Sequence, residues 1–413
     1  MISSNLKKNT IFLYISYISR YLFPIFLIPY LTRVLGLDGW GNLIFYIAYA
    51  AYVESIIEYG FDITGTRDIS VHRDSRKKRE EILSAVMTSK VLLSVLCLIV
   101  TLLLTLVFES LRQDIEIFVG LTIVSIVSNF SMLWYFKGVE EMKMVSYLTT
   151  TSYFVSSILV FLFIKTPNDV ILYPLFFFCS ALLISSIALY NVFTKNSFHF
   201  SSVSKAVNEL RDNFRMLLVR ASGLFFINGN IICVSLIYSD RVSASFALAI
   251  KIAHSIRMLL TPIVDATFPN ISSLVKVRED EAKRVVISVA KILLFLSVGM
   301  TLSIFFTSNL LITFFAGISD PSAISMLKVL SALPIIVAVT HIFGPLWMVP
   351  IGQDSEYTKM FYIGVTVNLF LLLASTYLPL SIYWPVSIVL VSQLVIPVLM
   401  YLKLKEKHQL FYT

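Results

Sequence analysis

The stretch GLDGWGNLIFYIAYAAYVESIIEYGFDITGTRDIS, residues 36–70, decides the fold. It begins with a glycine-rich turn, continues through an apolar segment long enough to cross a bilayer, and ends in a basic run. Glu54, Glu58 and Asp62 recur at intervals of four residues, so in a helix of about 3.6 residues per turn they share one face. Ionisable groups are costly in hydrocarbon and usually face water or protein. The stretch therefore predicts a membrane helix that lines a polar pathway.

The composition of the whole chain indicates an integral membrane protein. Of its 413 residues, 57% are hydrophobic and only 14% are charged, and the mean hydropathy is +0.83. Soluble domains carry about 25% charged residues. Apolar runs fill nearly the whole length, so we predict an all-α polytopic bundle, since a barrel would show short alternating segments. The net charge of +8 does not indicate nucleic acid, because Lys and Arg lie in short connections.

The cysteines and the first apolar run suggest no further chemistry or processing. Cys97, Cys179 and Cys233 all lie in apolar segments without metal-ligand spacing, so we expect buried thiols, and no disulfide, metal or cofactor. The run at 11–35 lacks a small-residue cleavage site and is too long for a signal-peptide core. It is expected to remain as the first helix.

Apolar windows predict about twelve transmembrane helices. The least defined connection is 307–322, in which residues 310–315 are expected to form a surface helix between the ninth and tenth spans. The predicted spans are 11–35, 42–64, 83–108, 116–136, 144–164, 170–193, 214–237, 244–268, 285–306, 323–347, 358–378 and 383–403. The connection 194–213 divides them into six plus six. We therefore predict two six-helix lobes, 1–200 and 201–413, around a central cavity, an arrangement typical of transporters.

The distribution of basic residues predicts the orientation. With a cytoplasmic N-terminus, twenty-two Lys and Arg fall on the cytoplasmic side, against four on the outer side: Arg33, Arg112, Lys165 and Arg241. Because positive loops stay in the cytoplasm, both termini are predicted to be cytoplasmic.

Deep ionisable residues are concentrated in the first two spans of each half. They are Arg20, Glu54, Glu58, Asp62, Arg220, Lys251, His254, Arg257 and Asp265. These helices are expected to surround a hydrated cavity. The deep cations outnumber Glu54, the one deep acid, which favours a cationic wall that holds an anionic group such as a phosphate. The alternative is that the cations pair with acids on neighbouring helices.

The acids of the second span have two interpretations each. Glu54 either pairs with Arg20 or is a protonatable group that couples an ion to transport, a role that Glu58 can share. Glu58 and Asp62 can instead lie at the interface and pair with Arg67 or the basic run that follows it.

Three other features of the spans bear on flexibility and burial. Pro24, one turn from Arg20, makes the first helix the one most expected to bend during gating, and Pro262 and Pro345 are expected to bend their helices too. Lys90 is expected to reach the interface by snorkelling.

Four motifs of the chain resemble those of a known transporter family: Asn9 leading into a helix with Arg20 and Pro24, YLTRVLGLDGWG at 30–41, YGFDITGTRDIS at 59–70, and FPNISSL at 268–274. That family is the O-antigen and polysaccharide flippases (Wzx type) of the multidrug/oligosaccharidyl-lipid/polysaccharide exporter superfamily. The motifs cover about the first 80 residues and one later stretch, whereas helix number and charge placement agree over the whole chain.

The resemblance implies a transporter and not an enzyme. Such proteins move an undecaprenyl-pyrophosphate-linked oligosaccharide across the bacterial inner membrane, and the expected partners are membrane lipids, a proton or sodium gradient, a polysaccharide polymerase and a chain-length regulator. Arg20, Arg220, Lys251 and Arg257 are then the candidates for substrate contacts, although only Arg20 lies beside a matching motif. A multidrug antiporter of the same superfamily and a membrane polysaccharide polymerase are the alternatives.

Overall fold

A computed structural model gives the backbone of residues 4–275, 277–377, 381 and 383–411, with their side chains except at 4–18, 20–22, 24, 25, 215, 219 and 269. All regular structure among these residues is helical. The chain divides into two compact units, Met1–Ala221 and Ser222–Thr413. The division falls inside the seventh predicted span and not in the connection 194–213.

The first unit consists of eight α-helices and most of a ninth. Their bounds are α1 Ser4–Glu58, α2 Thr64–Val71, α3 Arg76–Val107, α4 Glu109–Gln113, α5 Ile115–Ser128, α6 Leu133–Gly138, α7 Met142–Phe163, α8 Tyr173–Phe193 and α9 Val203–Leu224, with a 3-10 turn at Pro167–Leu172. α9 belongs here because Leu210 packs against Val53 and Ile57 of α1 and the Ser89 hydroxyl of α3 donates to the Ala206 carbonyl (3.3 Å).

Helix α1 covers the first predicted span and most of the second as one 55-residue element bent at Gly36. Gly36 has φ 72° and ψ 174°, a conformation that glycine adopts readily because it has no Cβ. At 1.5 Å per residue the element is roughly 80 Å long, more than twice the ~30 Å of a hydrocarbon core. The predicted glycine-rich turn is therefore a kink at a single residue and not a loop.

The second predicted span ends earlier than expected. α1 stops at Glu58, Tyr59 and Gly60 have φ of 50° and 93°, and Asp62 lies in the turn before α2. A Cβ on Gly60 would come within 2.5 Å of the Met216 Cβ, so the close approach of α9 also requires glycine here. The prediction that Asp62 shares a helical face with Glu54 and Glu58 is therefore wrong.

Buried aromatic side chains pack at one end of the first unit, where α2 and α6 meet α3, α7 and α8. Trp134 and Phe136 of α6 are almost completely buried and pack in one cluster with Phe61 and with Ile69 of α2. Around this cluster α1 packs on α3, α5 and α7, and α8 packs on α5 and α7.

The connections of the first unit gather at two opposite ends. At one end, Arg73 pairs with Glu140 (3.0 Å) and Lys195 with Glu141 (2.9 Å). At the other, the Asn42 amide donates to Asp114 (2.7 Å) and the Tyr30 hydroxyl donates to the Ile164 carbonyl (2.6 Å). The three connections predicted to be cytoplasmic thus meet at one end, as the charge count requires.

Cysteine labelling would identify which end faces the cytoplasm. Ser75 and Ser319 are both exposed, and in a cysteine-free background single cysteines at these positions should differ in their access to an impermeant thiol reagent. We expect labelling in intact spheroplasts only at position 319, since the positive-inside distribution places residue 75 in the cytoplasm. Both positions should react after permeabilisation. Labelling of residue 75 in intact spheroplasts would reverse the topology.

The second unit consists of helices with irregular segments inside them. Their bounds are α10 Asn230–Ile237, α11 Asp240–Arg257, α12 Thr261–Val275, α13 Glu279–Ala316, α14 Pro321–Leu330, α15 Leu333–Phe343, α16 Asp354–Ser375 and α17 Trp384–Glu406. A π-helical segment, Phe225–Gly229, precedes α10, and a second one, Gly344–Met348, follows α15. A 3-10 turn, Met258–Leu260, separates α11 from α12.

Helix α13 corrects one sequence expectation. It runs without a break to Ala316 and ends where Gly317 adopts the left-handed conformation (φ 76°). No separate surface helix therefore lies between the ninth and tenth predicted spans in this described part of the chain. The next helix, α14, is capped by the Asp320 carboxylate, which accepts from the Ala323 amide (3.0 Å).

By length and composition, ten helical segments among the described residues can cross a membrane, and they coincide with the third to twelfth predicted spans. The protein is a multi-pass membrane protein. The total of twelve spans stays a prediction.

Candidate functional site

A cluster of basic side chains lies at the end of α11, where the sequence predicted a cationic wall. Lys251, His254 and Arg257 follow one another at intervals of three residues and are all half-buried. The Arg257 Nε donates to the His254 Nδ1 (2.9 Å). Helix α15, which packs against α11, carries a further half-buried histidine, His341. We call these four residues the basic cluster.

Local backbone structure positions the basic cluster. α11 ends at Arg257, and the 3-10 turn that follows leads into α12, whose second residue is Pro262. A proline ring has no N–H and removes the hydrogen bond to the residue four positions earlier, here Met258. The N-terminal half of α11 is packed tightly into the second unit, since Phe246 and Leu248 are completely buried. Arg257 thus projects from the last turn of a fixed helix.

Arg257 has no carboxylate partner within ion-pair distance among the described residues. Asp265, on α12, is exposed. A half-buried guanidinium without a carboxylate retains donors for an anion, and its planar fork matches a phosphate or carboxylate in a bidentate manner. In the part of the chain that the structure describes, no group of three or more His, Cys, Asp or Glu could hold a metal ion.

Arg220, another predicted cation of the site, forms an ion pair instead. Its Nη1 lies 2.5 Å from the Asp62 Oδ2, and each side chain is 31% exposed. The alternative partner predicted for Asp62, Arg67, pairs with its neighbour Asp68 (2.8 Å). The ion pair ties α9 to the turn after α1.

Among the described side chains of the first unit, Glu58 and Lys90 form the most deeply buried ion pair. The Lys90 Nζ lies 2.6 Å from the Glu58 carboxylate, with the two side chains 0% and 15% exposed. Lys90 also donates to the Asn129 carbonyl (3.1 Å), and the Asn129 amide donates to the Glu54 carbonyl (3.3 Å). The expectation that Lys90 snorkels to the interface is therefore wrong, because a carboxylate on α1 compensates its charge inside the bundle.

Glu54 lies on the wall of a cavity of about 440 Å³ inside the first unit. The walls come from α1, α5, α6, α7 and α8, and among the described residues Glu54 has no ion-pair partner. Lys137 of α6 is the basic residue of the same lining. A carboxylate that faces a cavity fits the predicted protonatable group.

Two predicted residues of the first helix, Arg20 and Pro24, have side chains outside those that the structure describes. The helical backbone of α1 passes through both positions. The predicted Glu54 to Arg20 pair and the gating role of Pro24 stay predictions.

The hydroxyl groups of this cavity were missed by sequence reasoning. Seven Ser and Thr side chains line it: Ser125, Ser128, Ser131, Thr149, Ser152, Ser156 and Ser185. A helical spacing of three or four residues on α7, from Thr149 through Ser152 to Ser156, was the available signal. Serine is common in membrane helix packing, so this spacing does not by itself distinguish a cavity from a contact.

Comparison with known proteins identifies relatives over most of the chain. Residues 6–275 match the family model described as "Polysaccharide biosynthesis protein". A protein named "Putative O-antigen transporter" from Escherichia coli (strain K12) is 26% identical over 380 residues, 90% of each chain. A protein of the same name from Shigella dysenteriae is 26% identical over 367 residues, 88% of this chain and 91% of that relative.

Solved structures share the fold. One is described as the "inward-facing conformation of a multidrug resistance MATE family transporter of the MOP superfamily", with a TM-score of 0.74 and 14% identity over 97% of this chain and 98% of that one. Another is a "MOP superfamily transporter from Pyrococcus furiosus", described with a "reverse polarity of binding pocket". It has a TM-score of 0.61 and 13% identity over 99% of this chain and 96% of that one. This chain therefore has the fold of these transporters.

Proposed function

The chain belongs to the polysaccharide biosynthesis protein family, and from this membership we propose that it is a flippase for an undecaprenyl-pyrophosphate-linked oligosaccharide, an O-antigen or related repeat unit. It moves this lipid from the cytoplasmic to the outer leaflet of the bacterial inner membrane, with both of its termini in the cytoplasm. It acts as a transporter and not as an enzyme, and it delivers its product to a polysaccharide polymerase and chain-length regulator.

The observation that carries this proposal is the basic cluster. A pyrophosphate is an anion that must be held while its lipid and sugars change leaflet, and Arg257 offers it a guanidinium without a carboxylate partner among the described residues. Lys251, two turns earlier on α11, adds a second cation. Arg20 and Arg220 complete the proposed contacts, and Arg220 joins them when its ion pair with Asp62 opens.

A drug antiporter would be expected to have an acidic substrate site, because a basic cluster repels an organic cation. A polymerase predicts covalent chemistry on the sugars. The two relatives named as O-antigen transporters support the glycan lipid over both.

Transport of a labelled glycan lipid tests the proposal directly. The purified chain is reconstituted in liposomes with a fluorescent undecaprenyl-pyrophosphate-linked oligosaccharide, and the fraction accessible to an impermeant quencher is followed over time. We expect transfer that exceeds that of protein-free liposomes and that excess tetraphenylphosphonium does not inhibit. Uptake of the organic cation without movement of the glycan lipid would support the antiporter and overturn the flippase.

Glu54→Gln tests whether Glu54 couples transport to an ion gradient. We expect the variant to remain abundant, because the side chain faces a cavity, and to lose the response of transport to an imposed pH or sodium gradient. Glu58→Gln is the matched control. It should lower abundance instead, since it removes the counter-charge of the buried Lys90.

The structural alternative predicts a different pattern. If Glu54 only pairs with Arg20, Glu54→Gln should be unstable or inactive, and the double variant with Arg20→Gln should recover both abundance and transport. An unchanged gradient response in well-folded Glu54→Gln would also contradict the coupling role.

A further inference from the structure

The cavity of the first unit has features that the transport of a pyrophosphate lipid does not explain. All of its lining residues belong to the first unit, whereas the residues of the basic cluster belong to the second. Its volume of about 440 Å³ lies within the range of ligand sites, about 300 to 1,000 Å³. Its lining combines serine and threonine hydroxyls with the aromatic side chains Tyr153, Tyr173 and Phe177.

Three of the lining hydroxyls have already donated their hydrogen to a backbone carbonyl. Ser125 donates to the Ala50 carbonyl (2.9 Å), Ser156 to the Ser152 carbonyl (2.9 Å) and Ser185 to the Val127 carbonyl (2.7 Å). A hydroxyl has one hydrogen and two lone pairs, so each of these oxygens offers the cavity acceptors only.

The Glu54 carboxylate adds two further acceptor oxygens to the same lining. An acceptor-rich wall selects a ligand that brings several donors. A polyhydroxylated ring does so, and its N-acetyl derivative adds an amide N–H.

The charges of the lining favour a neutral ligand over an organic cation. Glu54 and Lys137 are its ionisable acid and base, so they contribute opposite charges and the wall has no net formal charge from them. An organic cation would be attracted by the Glu54 carboxylate and repelled by the Lys137 ammonium. A neutral sugar can accept from the ammonium and donate to the carboxylate.

The aromatic side chains offer a surface for the apolar face of such a ring. Tyr173 and Phe177 lie one turn apart on α8, with ring centroids 4.6 Å apart and planes inclined by 33°. Tyr173 is buried and Phe177 half-buried, so the pair forms a fixed wall of the cavity. The C–H groups of a sugar ring can pack on this wall while its hydroxyls reach the serines.

We propose that the cavity of the first unit is a glycan-binding subsite that recognises one neutral sugar ring of the transported oligosaccharide. The proposal rests on the proposed function, since the ring belongs to the oligosaccharide that this function transports. It makes the serines of α5, α7 and α8 determinants of which glycan is carried.

Binding of sugars to the full-length protein in lipid nanodiscs tests the subsite. The probes are a panel of neutral hexoses, deoxyhexoses and N-acetylhexosamines, tetraphenylphosphonium, and undecaprenyl pyrophosphate without sugar. We expect at least one sugar to bind. Ala51→Leu, which fills the cavity one turn before Glu54, should weaken its binding at least 10-fold and leave undecaprenyl pyrophosphate binding unchanged. Cys179, which the sequence predicted to be buried, is exposed on α8 outside the lining. Cys179→Leu introduces the same side chain there and should bind the sugar normally.

Two further variants keep the outcomes distinct. Phe177→Leu keeps an apolar side chain but removes the ring, and it should weaken sugar binding even if Ala51→Leu does not fold. Arg257→Ala should lose undecaprenyl pyrophosphate and retain the sugar. The subsite is refuted if no sugar of the panel binds the wild type, or if both cavity variants bind the sugar as the wild type does. It is also refuted if the variants lose binding of tetraphenylphosphonium and not of the sugar. Failure of undecaprenyl pyrophosphate to bind the wild type would count against the flippase and not against the subsite.

Discussion

Arg257→Ala is expected to abolish surface glycan in a strain that lacks the native gene, with the variant protein still present in the membrane at normal abundance. The physical reason is that the guanidinium is half-buried at the end of α11 and has no carboxylate partner among the described residues, so under the proposed function it binds an anionic group of the substrate. Truncating one member of a buried hydrogen-bonded charge pair costs about 2 to 5 kcal/mol, or roughly 30-fold or more in binding. The measurements are surface glycan on whole cells and binding of undecaprenyl pyrophosphate to the purified variant.

Two control variants separate the role of Arg257 from a general loss of charge. Arg257→Lys should be partly active, because the charge is retained while the bidentate fork is lost. Arg241→Ala removes an exposed arginine from the first turn of the same helix and should behave like the wild type. Normal glycan export by Arg257→Ala would exclude a required role for this residue.

Lys90→Met is expected to have the largest effect on stability in the first unit. The Glu58 carboxylate, which is only 15% exposed, would lose its cation inside the bundle. An uncompensated buried charge costs ~3 to 5 kcal/mol. The thermal unfolding midpoint of the purified protein and its abundance in the membrane should both fall. Lys143→Met is the control, since Lys143 is an exposed residue of α7.

The double variant Lys90→Met with Glu58→Gln distinguishes the ion pair from the packing of the lysine stem. Replacing both partners removes both charges, so most of the lost stability should return. If the double variant is as unstable as Lys90→Met alone, the lysine contributes through packing or through its bond to the Asn129 carbonyl. The charge compensation proposed for this pair would then be wrong.

Apolar length was sufficient to predict most of the fold. In hydrocarbon each backbone N–H and C=O must form a hydrogen bond within the segment. A run of about 20 apolar residues that crosses a membrane therefore forms a helix. This is why the third to twelfth predicted spans agree with the helices from α3 to α17. The exception at residues 59–63 arose from backbone geometry, because Tyr59 and Gly60 adopt positive φ and α1 ends at Glu58, inside the predicted span.

The partners of the charged residues could not be predicted, because they are set by packing between distant segments. Lys90 is 32 residues from Glu58 and Arg220 is 158 residues from Asp62. No local pattern at Lys90 distinguishes a side chain that reaches outward from one that meets an acid inside. The basic residues of α11 were easier to predict, since their spacing along one helix is visible in the sequence.

The two π-helical segments, Phe225–Gly229 and Gly344–Met348, have a consequence for how this chain tolerates changes of length. A π turn accommodates one residue more than an α turn, and one residue corresponds to a rotation of about 100° in an α-helix. Deleting a single residue within either segment can convert it to regular α-helix and leave the helical faces on both sides in place. The same deletion in the middle of α13 would turn one half of that helix toward the wrong neighbours. Single-residue gaps between homologous chains should therefore concentrate at these two segments.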